Sequence, residues 1–256
     1  METDTISHLK RYFIRLSFDG TPFHGWQVQK NANSVQAELN RALCLLLKDN
    51  AIETIGCGRT DAGVHAKQFY AHFESNPIQD IQAIIHHLNA LLPQAIAIHS
   101  IVAVEPNAHA RYDATSRTYV YRLYQTKDPF LSNRAYFFPH ALNFERMNSF
   151  ARKLKDYTDF SSFSKSNTQT FTNDCVVTFA EWALEQQEWC FRITANRFLR
   201  NMVRAIVGTL LNAGMNKISE KDFHEILESK DRSEAGVSVP AHGLYLEEVL
   251  YPYSVS

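Results

Sequence analysis

The pattern that most constrains this fold is a repeated switch of hydrophobic period, from two to about 3.6 and back, through the first hundred residues. RYFIRLSF (11–18) places Tyr12, Ile14, Leu16 and Phe18 on one face by alternation, as a half-buried strand does. A turn-rich stretch, DGTPFHGWQ, leads into NSVQAELNRALCLLLKD (33–49). There Asn33 or Ser34 can cap a helix whose stripe is Val35, Leu39, Leu43 and Leu46. Short strands around 51–57 and 68–74, a helix in IQDIQAIIHHLNALL that stops at Pro93, and a strand over 98–105 complete the set. The order strand–helix–strand–strand–helix–strand is that of a ferredoxin-like layer, with helices on one antiparallel sheet.

The second half runs through similar elements. RTYVYRLYQ (117–125) reads as a strand and FERMNSFARKLKD (144–156) as a helix. CVVTFAEWALEQQEWCFRITA reads as a hairpin turning near Gln186–Gln187. NRFLRNMVRAIVGTLLNAG (196–214) reads as one long helix ended by Gly214, SEKDFHEILESK as a short helix, and GLYLEEVLY as a closing strand. The expected class is therefore α+β: two related halves, 1–108 and 109–256, without a Pro- or Gly-rich linker. Abutting sheets that share a cleft, with the helices on the other face, follow from a division of that kind.

No apolar run in the 256 residues reaches the roughly 18–20 needed for a membrane span. The N-terminal METDTISHLKRYF has no apolar segment of signal-peptide type. Four cysteines without CxxC spacing read as small core hydrophobes in a reducing compartment, so a cytoplasmic protein is expected. The net charge of −1 gives no hint of a polyanionic partner, but RITANRFLRNMVR carries four arginines and no acid. On a single helix Arg197, Arg200 and Arg204 would form one narrow cationic stripe, suited to carboxylate or phosphate contacts or simply to solvent. The histidines lack metal-site spacing, and no Walker loop, dinucleotide fingerprint or nucleophile elbow is present. Nothing calls for a metal or a nucleotide cofactor.

One loop stands apart. GCGRTDAGVHA (56–66) sets Arg59 and Asp61 two apart among three glycines. A guanidinium beside a carboxylate favours its ionised form, which suits nucleophilic attack or charge stabilisation. A turn aspartate bonded to the local backbone would look the same.

With its companions, that loop resembles the signature of the TruA family of tRNA pseudouridine synthases. FDGTPFHGWQVQ, SVQAELNRAL, HARYDATSRTYVYRL, DFSSF, NRFLRNMVRAIVGTLL and AHGLYLEEVLY follow in the family's order, so the resemblance spans about residues 11–252. It implies that Asp61 is the catalytic aspartate and Arg59 the arginine associated with opening the RNA target site. It implies that Tyr119 is the active-site tyrosine, although the pattern alone does not separate it from Tyr121 on the same strand face. Arg204 matches the arginine that pairs with the carboxylate, and Leu244 the apolar wall of the uracil pocket. Arg197, Arg200 and Lys165 are candidate contacts to the RNA backbone. The same resemblance implies a homodimer, no cofactor, a central RNA-binding cleft between RRM-like halves, and tRNA uridines 38–40 of the anticodon stem-loop as targets. Two rivals are a silent RNA-binding protein on this scaffold and a carboxylate-dependent glycosidase. The first has no need of the pocket set, and the second lacks an evident second acid.

Overall fold

The computed structural model describes residues 9–165 and 171–255. They form an α+β protein of mostly antiparallel strands and helices. The chain divides into two compact units. The first holds the described residues up to Ala62, Ala66–Thr115, and those from Val249 onward; the second holds Gly63–His65 and Ser116–Glu248.

In the first unit, β1 (Lys10–Phe18) pairs antiparallel with both β3 (His65–Ser75) and β4 (Ile96–Val104). The short β2 (Ile55–Gly56) lies on the far side of β3, giving the order β4-β1-β3-β2. Helix α1 (Val35–Leu47) starts where the Ser34 hydroxyl accepts the Ala37 N–H, and it buries Val35, Leu39, Ala42 and Leu43. That cap removes one of the unpaired donors of the first turn. Helix α2 (Ile81–Leu91) is capped by Asp80 and buries only Leu88. Its Asn89 also meets β4: the amide donates to the Ile98 carbonyl at 2.9 Å and accepts the Ile98 N–H at 2.8 Å.

In the second unit, β5 (Ser116–Tyr124), β7 (Val177–Glu185), β8 (Glu188–Ala195) and β9 (Leu244–Leu250) follow the order β9-β5-β8-β7. The two-residue β6 (Tyr136–Phe137) runs parallel to β5. The β7–β8 hairpin turns at Gln186, which takes a left-handed φ of 58°, and Glu185 faces Glu188 across it. Helices α3 (Phe144–Lys153) and α4 (Met202–Gly214) and the short α5 (Glu220–Ser229) supply apolar faces to one core. Tyr121, Phe150, Phe163, Phe191, Met202, Ile206 and Phe223 are buried within it.

One expected element is wrong. The helix predicted over 196–214 begins only at Met202, because Asn201 sits at φ 67°, in the left-handed region. Asparagine tolerates that conformation better than most residues. Here its side-chain amide donates to the Ser238 hydroxyl at 2.6 Å, which holds it there. Arg197 and Arg200 therefore lie in the preceding loop, and the three-arginine helical stripe does not exist.

Candidate active site

The Asp61 loop is built by fitting two short stretches of backbone together. The turn at Gly25–Trp26 is fixed first, its carbonyls accepting the N–H groups of Val35 and Gln36 at 3.3 and 2.9 Å. Gly25 has φ +89°, and a Cβ there would lie 2.2 Å from the Thr60 carbonyl oxygen. The Trp26 N–H donates to the Thr60 hydroxyl at 3.0 Å. Trp26 itself is buried and stacked on Phe69, with ring centroids 4.2 Å apart. Gly56 makes room for that stack, since a Cβ there would come within 2.6 Å of the indole. Thr60 is thus anchored, and its neighbours are an exposed Arg59 and a half-buried Asp61.

The three loop glycines serve different ends. Gly56 is a packing requirement, Gly58 faces open space, and Gly63 adopts φ +79°. Only the last position strictly needs glycine's backbone freedom. Beyond it, Val64 and His65 are buried among residues of the second unit.

The other candidates lie in the second unit, where one strap of chain at 236–243 holds Arg204 and leads into Leu244. The strap crosses α4 closely: a Cβ on Gly208 would lie 1.9 Å from the Val237 carbonyl oxygen, and one on Gly236 would lie 2.6 Å from the Gly208 backbone. The Gly236 N–H donates to the Thr209 hydroxyl at 2.9 Å. Arg204, in the first turn of α4, donates from Nε to the Val239 carbonyl at 2.7 Å. The Val239 N–H in turn donates to the Arg204 carbonyl at 3.2 Å. A guanidinium bonded through Nε has its plane fixed, so its terminal nitrogens are aimed by the strap. The strap then passes through a tight turn at Ala241–Gly243 and delivers Leu244, 6% exposed, at the start of β9.

Tyr119 and Tyr121 share a strand face but not an environment. Tyr121 is fully buried and its hydroxyl donates to the Pro240 carbonyl at 2.9 Å. Burial pushes its phenol far above the usual range, Tyr136 adds to this, and the Arg204 charge opposes it. Tyr119 is half-buried, with its ring edge-on to Phe198 at 5.1 Å. Tyr121 thus supports the strap from inside the core.

Lys165 and Arg200 are adjacent: the Lys165 N–H donates to the Arg200 carbonyl at 3.1 Å, and both residues are exposed. Arg197 is half-buried beside Cys175, whose thiol is pushed up to about 11 by burial against the pull of that arginine. Sequence reasoning did not find the strap or the Thr60 anchor. The available signals were a glycine in the middle of the α4 pattern and the Gly-Trp pair at 25–26, both of which mark close backbone approach.

The first unit thus carries a glycine-rich loop with an acid, and the second a strap-held arginine, each on a sheet with helices packed against it. A family model described as tRNA pseudouridine synthase matches residues 151–252. The tRNA pseudouridine synthase A of Parabacteroides distasonis is 49% identical over 245 residues, covering 95% of this chain and 97% of its own length. That of Bacteroides thetaiotaomicron is 47% identical over 96% of this chain and 93% of its own. The Bacillus subtilis enzyme of the same name is 39% identical over 92% and 97%. The chain belongs to the tRNA pseudouridine synthase family.

Proposed function

We propose that this protein isomerises uridine to pseudouridine in tRNA, at positions 38–40 of the anticodon stem-loop, as a cytoplasmic homodimer. The observation that carries the reading is the near full-length similarity to proteins named tRNA pseudouridine synthase A, at 49% identity over 95% of the chain. Such a reaction breaks the N1–C1′ bond of the nucleoside, turns the uracil, and joins C5 to C1′. The proton on C5 leaves and N1 gains one, so the isomerisation is redox-neutral and consumes no water.

In this proposal Asp61 is the ionised carboxylate that starts the chemistry, by adding to C6, attacking C1′ or removing the 2′ proton. Arg204 stabilises it electrostatically. Tyr119 stacks on the base and stands ready for the final proton removal at C5, while Leu244 forms the apolar wall that retains the detached uracil. Arg59 helps open the target site, since a base in a stem must leave its stack at a cost of about a few kcal/mol. Lys165, Arg197 and Arg200 hold phosphates and offset part of that cost.

The finer fold reading belongs to the same proposal: two ferredoxin-like halves, 1–108 and 109–256, meeting in an RNA-binding cleft. It is supported by the strand order, which runs fourth, first, third, second along the chain in the first unit, and likewise in the second once the two-residue β6 is set aside. The test is to incubate the protein with tRNA tritiated at C5 of uridine and count label released to water. Release by wild type and none by Asp61→Ala is expected. No release from any anticodon stem-loop would overturn the proposal.

A further inference from the structure

His65 is the penultimate residue of the signature loop, four residues after Asp61, and it has no part in the chemistry above. It is buried, 3% exposed, with Nε2 3.1 Å from the His242 carbonyl oxygen. A carbonyl only accepts, so Nε2 carries the hydrogen and the tautomer is fixed by the contact. The imidazole lies flat on Tyr245, with centroids 4.5 Å apart and planes 17° from parallel. Tyr245 is itself held: its hydroxyl donates to the Arg134 carbonyl at 2.7 Å, and the Arg122 guanidinium sits 5.0 Å from its ring centroid. Two residues before His65, a Cβ on Gly63 would be in ordinary contact, 3.5 Å, with the Ala241 methyl.

The residues His65 grips are not arbitrary. His242 is the middle of the turn that ends the strap, three residues after Val239, which binds Arg204, and two before Leu244. We propose that His65 is a positioning residue: its bond to the His242 carbonyl and its stack on Tyr245 lock the end of the Asp61 loop to the segment that seats Arg204 and delivers Leu244. The inference rests on the functional reading above. Its physical basis is that a displaced catalytic group costs rate steeply, about a hundredfold for an ångström, even when binding is unaffected.

The test measures kcat and KM for tRNA by C5 label release, on the full chain, well below the melting temperature of each variant. His65→Phe keeps a ring on Tyr245 and removes the N–H, while His65→Gln restores an amide N–H near the same place. Expected are a fall in kcat of about tenfold for Phe with KM within about twofold of wild type, and recovery of most of kcat by Gln. A folded His65→Phe with wild-type kcat overturns the inference, and so does an equal loss in Phe and Gln. Should neither variant fold, Tyr245→Leu decides: a kcat reduced about threefold or more supports the lock, and an unchanged one overturns it. A wild type that releases no label refutes the functional reading instead, so the two failures are distinguishable.

Discussion

Two tyrosines two residues apart on β5 show how burial assigns different work to identical side chains. Tyr121 spends its hydroxyl on the Pro240 carbonyl inside the core. Tyr121→Phe should therefore cost about 1–3 kcal/mol, read as a lower denaturation midpoint, by leaving that carbonyl unpaired. Tyr119→Phe, at a half-buried ring, should show its main effect as a lower kcat for label release. A reversed outcome would exchange their roles. Titration of a buried histidine gives a second expectation at this scale. His72 accepts the Ala110 N–H at Nδ1, and burial, aided by the charges of His109 and Arg11, lowers its pKa to about 4. His109 is lowered too, chiefly by burial. In the unfolded chain these groups take up protons near the ordinary value of about 6.5, and in the folded chain only at lower pH. Stability is thus full above about 6.5 and falls as pH drops toward about 4. Urea midpoints at pH 7 and pH 5 should differ accordingly, and His72→Asn should flatten the difference. A midpoint that rises on acidification would contradict this reading.

At the scale of elements, the glycines discriminate between packing and freedom. Gly208→Ala would drive a methyl into the Val237 carbonyl, 1.9 Å away, and should cost about 1–3 kcal/mol. Gly58→Ala meets nothing within 4 Å and should be within about 0.5 kcal/mol of neutral. Thermal melts of the two variants check the contrast, and similar losses in both would refute it. Most elements were legible from period alone, because their buried faces recur at strand or helix spacing. The α4 start was not: 196–201 carries helix-like spacing, but Asn201 is claimed by Ser238, a partner 37 residues away. The strap was equally hidden, since its order comes from backbone contacts with Gly208 and Arg204 and not from any pattern of its own. The loop before α4 carries its own expectation. Lys165→Ala and Arg200→Ala should each raise KM for tRNA about threefold, leave kcat unchanged, and shallow its salt dependence. Unchanged KM and salt slope would remove both residues from the RNA footprint.

Across the whole molecule, the signature loop changes compact unit twice, returning to the first at His65–Ala66 after the passage into the second at Ala62–Gly63. Asp61 stands just before that passage, and the residues after it are packed in the second core. The candidate site was legible only as an ensemble of motifs. Asp61 alone could be a turn residue, and its proposed catalytic role came from Tyr119, Arg204 and Leu244 arriving in family order from distant segments. What the residues could not reveal was the hardware beneath them: the Thr60 anchor, the strap, and the His65 contact, each set by long-range backbone geometry. The proposed homodimer should appear in light scattering as the mass of two chains. The most direct measurement of the central claim is to treat an unmodified tRNA transcript with the protein, label pseudouridine with a carbodiimide, and map the stops by primer extension. Stops arising from positions 38–40 with wild type, and none with Asp61→Asn, are predicted. An unmarked anticodon stem with wild type, or equal marking by the variant, would contradict the account.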